Sequence, residues 1–427
     1  MNFPAPFRGT PVTATVDLPG SKSLANRALV LAAIADSPST IARPLVSRDS
    51  LLMADALEAL GARVERGNDA WRVTPIDVTR SGADVRIDCG LAGTVMRFVP
   101  LVAALTSLRV TFDGDDRARE RPMGATIATL RALGVRVDDT VDGTAPGTLP
   151  FTVHGTGSVV GGPLEIDASA SSQFISAVLL VASGFEQGVD LRLVGDSVPS
   201  LPHIEMTVTE LQRRGVEVER GHHAWRVAPG RVAGLDVEIE PDLSNAGPFI
   251  AAAILTAGSV RMRWPEVTDQ AGDAWRHLAP ALGGRAVRDG ADLVFLGTGR
   301  VQGAHLDLHD VGELTPVVAA VAAIADSPSR LTGIGHLRGH ETDRLAALAT
   351  EIGALGGDVR ELEDGLEIRP ATLHGGVFHT YEDHRMAHAG VVIGLVTRGV
   401  EIENVETTAK TWPGFAEAWN GFVEGGR

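Results

Sequence analysis

The sequence predicts an α/β protein assembled from a repeated αβ unit, on three observations. A helical stripe closing in Leu-Gly or Arg-Gly recurs along the chain, followed each time by a short valine-bearing strand, a polar turn and a second strand. The closing glycines at 61, 134, 215, 283 and 356 stand 73, 81, 68 and 73 residues apart. Three strongly apolar helices, over residues 21–35, 93–105 and 171–182, each follow a polar turn that carries glycine or serine. A period of about seventy is too long for the common solenoids and suits a repeated supersecondary unit.

Taken in order, the first copy runs Ala56-Leu57-Glu58-Ala59-Leu60-Gly61-Ala62-Arg63-Val64 and closes with Trp71-Arg72-Val73. The second runs Leu130-Arg131-Ala132-Leu133-Gly134-Val135-Arg136-Val137 and closes with Phe151-Thr152-Val153. Further copies carry their glycines at Gly215, Gly283 and Gly356, and a degenerate sixth would fill the chain. Each glycine falls where a helix end wants a left-handed residue, and the alternating segments after it fit the strands of a hairpin.

Composition narrows the function. At 427 residues with 44% hydrophobic content, the chain is long enough for two or three domains with real cores. A formal net charge of −16 lacks the basic footprint of a nucleic-acid binder, and 4% aromatic content offers few base-stacking platforms. The single cysteine, Cys89, excludes an internal disulfide or a cysteine-based zinc cluster and points to a reducing, cytoplasmic setting. No signal-peptide pattern or membrane-length apolar run is present, so no membrane partner is expected.

Cations nevertheless gather at helix starts, where unpaired N–H groups and the dipole favour anions. The first such segment is Leu18-Pro19-Gly20-Ser21-Lys22-Ser23-Leu24-Ala25-Asn26-Arg27, which lacks the spacing of a Walker A loop. Cys89-Gly90-Leu91-Ala92-Gly93-Thr94-Val95-Met96-Arg97 opens an apolar helix with glycines that let a ligand approach the backbone. Arg117-Ala118-Arg119-Glu120-Arg121-Pro122-Met123 reads as an arginine loop ending at a proline. Ser171, Ser172 and Gln173 stack polar groups at a third helix start, where serines would equally serve as plain N-caps. In the second half, Glu341-Thr342-Asp343-Arg344, Asp383-His384-Arg385 and Ala409-Lys410-Thr411 add cations beside carboxylates. Glu341 and Arg344 could also form a simple helix pair, and His384 with His388 lacks a third ligand for a metal.

From Pro19 to Pro413 these segments, in this order, resemble the 5-enolpyruvylshikimate-3-phosphate synthases, the enolpyruvyl transferases of the shikimate pathway. The resemblance implies two similar domains, each of three βαβαββ units, with the active site in the cleft between them. Residues 20–240 would form the N-terminal domain, and 1–19 plus 241–427 the C-terminal one. It implies a monomer without metal or organic cofactor that joins shikimate 3-phosphate to phosphoenolpyruvate. By that resemblance Lys22, Gly93, Arg121, Gln173, Arg344, Arg385 and Lys410 would hold phosphoenolpyruvate. Lys22, Ser23, Arg27, Ser171, Ser172, Gln173, Ser200, Glu313 and His340 would hold shikimate 3-phosphate. Lys22 and Glu341 would deliver the proton to the enolpyruvyl group, and Glu313 would accept the one from the 5-hydroxyl.

Departures mark particular positions. Glu313 replaces the usual aspartate, one methylene longer, and the same carboxylate would serve as a cap for the following helix. His340 stands where many members carry lysine, so a contact to the substrate phosphate there would depend on pH. His336 and Leu91 replace common asparagines, His203 a tyrosine, and Phe98 a proline. The related UDP-N-acetylglucosamine enolpyruvyl transferases differ in carrying a loop cysteine and an asparagine after the first lysine. Here Ser23 follows Lys22, and residues 117–121 contain no cysteine. A non-catalytic anion-binding scaffold would have lost an acid–base group, yet Lys22, Glu313 and Glu341 are all present.

Overall fold

In this computed structural model, which describes residues 2–77, 81–140, 145–169, 171–195 and 198–425, the chain divides into two compact units. One comprises Gly20–Glu240, the other Met1–Pro19 with Pro241–Arg427. Ala170, within the serine-rich segment, lies outside the described residues.

The Gly20–Glu240 unit holds three four-stranded sheets of one pattern: a parallel pair, then two antiparallel neighbours. In the second of them, Ser81–Asp88 pairs in parallel with Ser107–Asp113 across the helix Gly93–Ala104. The helix Gly124–Ala132 follows, and then the antiparallel strands Arg136–Asp138 and Phe151–His154 complete the sheet. The third repeats this order from Gly162–Ile166 to Ala224–Val227. The first is closed by Val237–Glu238, which pairs in parallel with Ser39–Ala42 at the far end of the unit's chain. The three apolar helices Lys22–Ala33, Gly93–Ala104 and Gln173–Ala182 are buried almost along their whole length in a single core. Helices so apolar all round must be covered on every side, which is why their polar atoms collect at the N-termini.

The other unit has two four-stranded sheets and one of three strands. Thr13–Val16 pairs in parallel with Ser259–Arg263, and Phe3–Pro4 pairs antiparallel with Val400–Ile402. Buried helices again bridge the parallel pairs: Gly247–Thr256, Thr315–Ile324 and His384–Val396.

The five repeat glycines all have left-handed backbone, with φ of +111° at Gly61, +81° at Gly134, +78° at Gly215, +97° at Gly283 and +90° at Gly356. Each follows a helix C-cap and leads into a hairpin, so the repeated unit read from the sequence is the unit that folds. At Gly134 an added Cβ would meet nothing within 4 Å, so Gly134→Ala tests the backbone term alone. We expect a loss of about 1 kcal/mol in urea denaturation. Gly283→Ala should lose more, because its Cβ would lie 2.0 Å from the Arg300 carbonyl oxygen.

Candidate active site

Each unit gathers its own set of candidate residues. In the Gly20–Glu240 unit the starts of the three apolar helices are joined by side chains. Asn26 Nδ2 donates to Thr94 Oγ1 at 2.7 Å, and an Arg97 guanidinium nitrogen donates to Gln173 Oε1 at 2.7 Å. With its oxygen held by Arg97, the Gln173 amide is oriented with its NH2 group free of that bond. Arg121 is buried beside them; its NH1 reaches the Leu91 carbonyl at only 3.4 Å, and its Nε has no hydrogen-bond partner among the described residues. A Cβ on Gly93 would come within 3.3 Å of both terminal nitrogens of Arg121 and of Gln173 Oε1. Glycine therefore leaves that space open. Lys22 opens the first helix and reaches Asp49 Oδ2 at 3.3 Å.

Two expectations change here. The arginine segment is not wholly a loop, because Asp116–Arg119 forms one helical turn before the chain bends toward Pro122. The helix-start serines do not act as plain side-chain caps: neither Ser21 nor Ser172 makes a side-chain cap bond, and only Ser171 Oγ accepts from Gln173 N, at 3.3 Å. Ser200 heads the helix Leu201–Arg213 with φ +57°, again without a cap bond.

Arg27 behaves differently from the other cations. It is 1% exposed, and its nitrogens donate to Thr207 Oγ1, the Ser23 carbonyl, Ser176 Oγ and the His203 carbonyl at 2.7–3.2 Å. Burial pushes its pKa down to about 10, against the pull of Glu210. Four of its five N–H groups are used within the unit, which leaves one, on NH1, for a ligand. Ser23 lies half-buried on the same turn of helix.

In the other unit four ionised side chains interlock, with a fifth, Arg385, beside them. Arg344 places Nε 2.8 Å and NH2 3.1 Å from the two oxygens of Asp383, a bidentate pair. Its NH2 also meets Glu341 Oε2 at 3.3 Å, and Lys410 Nζ donates to Glu341 Oε1 at 2.5 Å. Asp383 additionally caps the helix His384–Val396 by accepting from Arg385 N at 2.8 Å. All five are less than 10% exposed. Burial depresses the Arg385 pKa, with Asp242 and Glu313 opposing and Arg344 adding to the depression. Arg344 is raised instead, because Asp383 and Glu341 outweigh its burial. Arg344 is paired directly with carboxylates, whereas Arg385 feels Asp242, Glu313 and Asp383 only through space and remains depressed by burial.

Glu313 lies in the 3-10 turn His309–Leu314 and accepts from Ser244 Oγ at 3.3 Å. It does not cap the following helix, whose N-cap is Leu314, so the structural alternative for this carboxylate is not adopted. His309, His336 and His340 form a row with ring centroids 5.9 Å apart at each step, and His340 Nδ1 is 4.0 Å from Glu341 Oε2. His336 Nε2 would lie 2.7 Å from a Cβ on Gly312, the neighbour of Glu313.

His336 gives a pH prediction. Its pKa is pushed down to about 4, mainly by burial and then by His309, with Glu313 and Asp364 opposing. An unfolded histidine titrates near about 6.5, so the folded protein binds fewer protons below that value. The stability tied to neutral His336 is complete above the unfolded value and is lost as pH falls from about 6.5 toward about 4. From about pH 7 to pH 5 this term removes about 2 kcal/mol at most. His388, fully buried with both ring nitrogens lacking partners among the described residues, acts in the same direction. Urea midpoints at the two pH values should converge in His336→Gln relative to wild type; equal pH slopes in both proteins would contradict this.

The sequence marks Asp383 and Arg97 within their motifs but assigns them no role, and nothing in it singles out Asp49 or Asn245. Asn245 Nδ2 bonds the Thr411 carbonyl at 3.2 Å and Thr411 Oγ1 returns to Asn245 Oδ1, fixing the segment that carries Lys410. A short acidic residue directly before a helix was the available signal for Asp383; the others act through partners too distant in sequence to pair by spacing.

An α/β protein whose buried arginines and lysine meet carboxylates at helix starts is thus defined by fold and site together. A model of the EPSP synthase family (3-phosphoshikimate 1-carboxyvinyltransferase) matches residues 7–419, and the chain belongs to that family. It is 56% identical over 431 residues to the 3-phosphoshikimate 1-carboxyvinyltransferase of Kocuria rhizophila, covering 98% of this chain and 95% of that protein. Among solved structures it resembles EPSP synthase from Acinetobacter baumannii, with a TM-score of 0.79 at 22% identity over 98% of both chains. The enolpyruvyl transferase NikO from Streptomyces tendae has a TM-score of 0.73 at 17% identity, covering 97% of this chain and 96% of that one. The latter two likenesses concern the fold.

Proposed function

We propose that the protein transfers the enolpyruvyl group of phosphoenolpyruvate to the 5-hydroxyl of shikimate 3-phosphate, releasing phosphate, in the shikimate pathway to the aromatic amino acids. Membership of the family carries this reading. The observation of the chain itself that supports it most is the Asp383–Arg344–Glu341–Lys410 cluster with Arg385 beside it. Two substrates that together bring two phosphates and two carboxylates need cations that are pre-placed, and this cluster holds its cations buried and fixed.

The residues divide by chemistry. Arg344, Arg385 and Lys410 from one unit, with Lys22, Arg121, Gln173 and the backbone at Gly93 from the other, are the groups for phosphoenolpyruvate. Ser23, Arg27, Ser171, Ser172, Gln173, Ser200 and His340, again with Lys22, are those for shikimate 3-phosphate. Glu313, which accepts from the Ser244 hydroxyl, would take the 5-hydroxyl proton as that oxygen attacks the phosphate-bearing enol carbon of phosphoenolpyruvate. Glu341 accepts hydrogen bonds from two cations, so it delivers a proton to the methylene carbon only as one is handed on, with Lys410 at 2.5 Å the adjacent donor. Loss of phosphate from the tetrahedral adduct reverses the two roles. The addition and elimination need proton transfers and charge stabilisation, with no net oxidation.

A monomer in the cytoplasm belongs to the same proposal. Among the described residues no helix is long and apolar enough to cross a membrane, and the lone Cys89 is buried with its thiol pKa pushed up by burial. The test is inorganic phosphate release with both substrates present and with each omitted in turn. Phosphate must appear only with the pair; tight binding of both without turnover would instead favour an anion-binding scaffold.

A further inference from the structure

Asp383 orients Arg344 and the start of the Arg385 helix, so whatever fixes Asp383 also fixes the cations assigned to phosphoenolpyruvate. The two residues before it, Tyr381 and Glu382, both have left-handed backbone, with φ of +54° and +57°. Neither residue type favours that region, and two in succession persist only where the surroundings hold them. The holding group is Glu351. It is 2% exposed, on the same helix as Arg344, Arg344–Ala354, and seven residues further along, two turns down one face. Glu351 Oε1 accepts from the Tyr381 hydroxyl at 2.6 Å, and Oε2 from the His379 backbone N–H at 2.9 Å. The turn closes on itself through Asp383 N to the Thr380 carbonyl at 2.9 Å. One helix is therefore fastened to one strained turn at two points: Arg344 to Asp383 above, Glu351 to Tyr381 and His379 below.

We propose that Glu351 and Tyr381 are positioning residues for the phosphoenolpyruvate side of the reaction, clamping the 379–383 turn so that Asp383 holds Arg344 in place. The inference rests on the assignment of Arg344 and Arg385 to phosphoenolpyruvate. Neither clamp residue need touch substrate; their effect passes through Asp383.

Removing only the hydroxyl, in Tyr381→Phe, should raise KM for phosphoenolpyruvate about five- to tenfold, with kcat and the shikimate 3-phosphate Kd changed less than about twofold. Adding Glu382→Gly, which relieves the left-handed strain, should recover most of that loss. A role in stability alone would leave KM unmoved in both variants. Tyr381 is the lone tyrosine of the chain, so phenolate absorbance reports on the clamp directly. In wild type it should ionise at about 12, raised by burial and by the bond to Glu351, and in Glu351→Gln it should fall toward the ordinary value near about 10. Arg344→Met is the control for the reading beneath. If Arg344→Met raises the phosphoenolpyruvate KM and Tyr381→Phe leaves it within twofold, the clamp is refuted alone. If Arg344→Met has no effect on that KM, the site assignment falls and the clamp proposal with it. A wild-type tyrosine titrating at its ordinary value would also refute the clamp.

Discussion

Glu313→Gln should lower kcat by about 10²- to 10⁴-fold while leaving shikimate 3-phosphate binding within about threefold, as expected for loss of a general base. The amide keeps the shape of the side chain and an oxygen for the Ser244 hydroxyl, 3.3 Å from Glu313 Oε1 in the native protein. What it loses is the capacity to take a proton. The structural alternative predicts a different pattern. Were Glu313 a helix cap, Gln would lower stability and leave turnover nearly intact; the cap of Thr315–Ile324 is Leu314, so no such loss is expected. The measurement is steady-state phosphate release beside a direct Kd for shikimate 3-phosphate. Turnover within tenfold of wild type would remove Glu313 from the chemistry. Glu313→Asp, which restores the shorter carboxylate usual in the family, should retain far more activity than Glu313→Gln.

How much of this was legible in the chain depends on the range of the interaction. The repeat glycines were readable because a left-handed helix end is a local demand, met by the residue itself, and all five have positive φ. The hairpins after them were readable for the same reason, through alternation over a few residues. Helix starts were placed nearly to the residue, since Gly93 and Lys22 do open their helices. The arginine segment failed locally: Pro122 announced a break, but nothing in residues 117–121 distinguished one helical turn from a loop. The roles within the cluster were beyond local reading. Arg344 finds Asp383 39 residues away, Lys410 finds Glu341 69 away, and Arg27 finds Thr207 180 away. Spacing could mark these residues as charged and out of place in an acidic chain. It could not say which carboxylate holds which cation, or that Arg27 uses most of its donors on its own fold.

The last distinction decides the second large effect, at Glu341. Glu341→Gln should cost kcat about 10²- to 10⁴-fold, and the cause can be separated from simple disruption of the ion cluster. In the native protein Glu341 takes one bond from Arg344 at 3.3 Å and one from Lys410 at 2.5 Å. The amide keeps an oxygen for Lys410 but loses the charge opposite it, which alone would weaken folding and disturb the site. Arg344 stays fixed by the bidentate pair with Asp383, so the cations proposed for phosphoenolpyruvate should remain ordered. A purely electrostatic role for Glu341 differs in turnover: losing a carboxylate makes the cluster more positive, and anionic substrate should bind as tightly or tighter while turnover survives. A proton-delivering role predicts retained or improved binding with turnover lost. The two are resolved by following solvent deuterium into the methylene carbon of phosphoenolpyruvate. Exchange that persists in Glu341→Gln at the wild-type rate would assign the proton to Lys22 or Lys410 and leave Glu341 as their electrostatic partner alone.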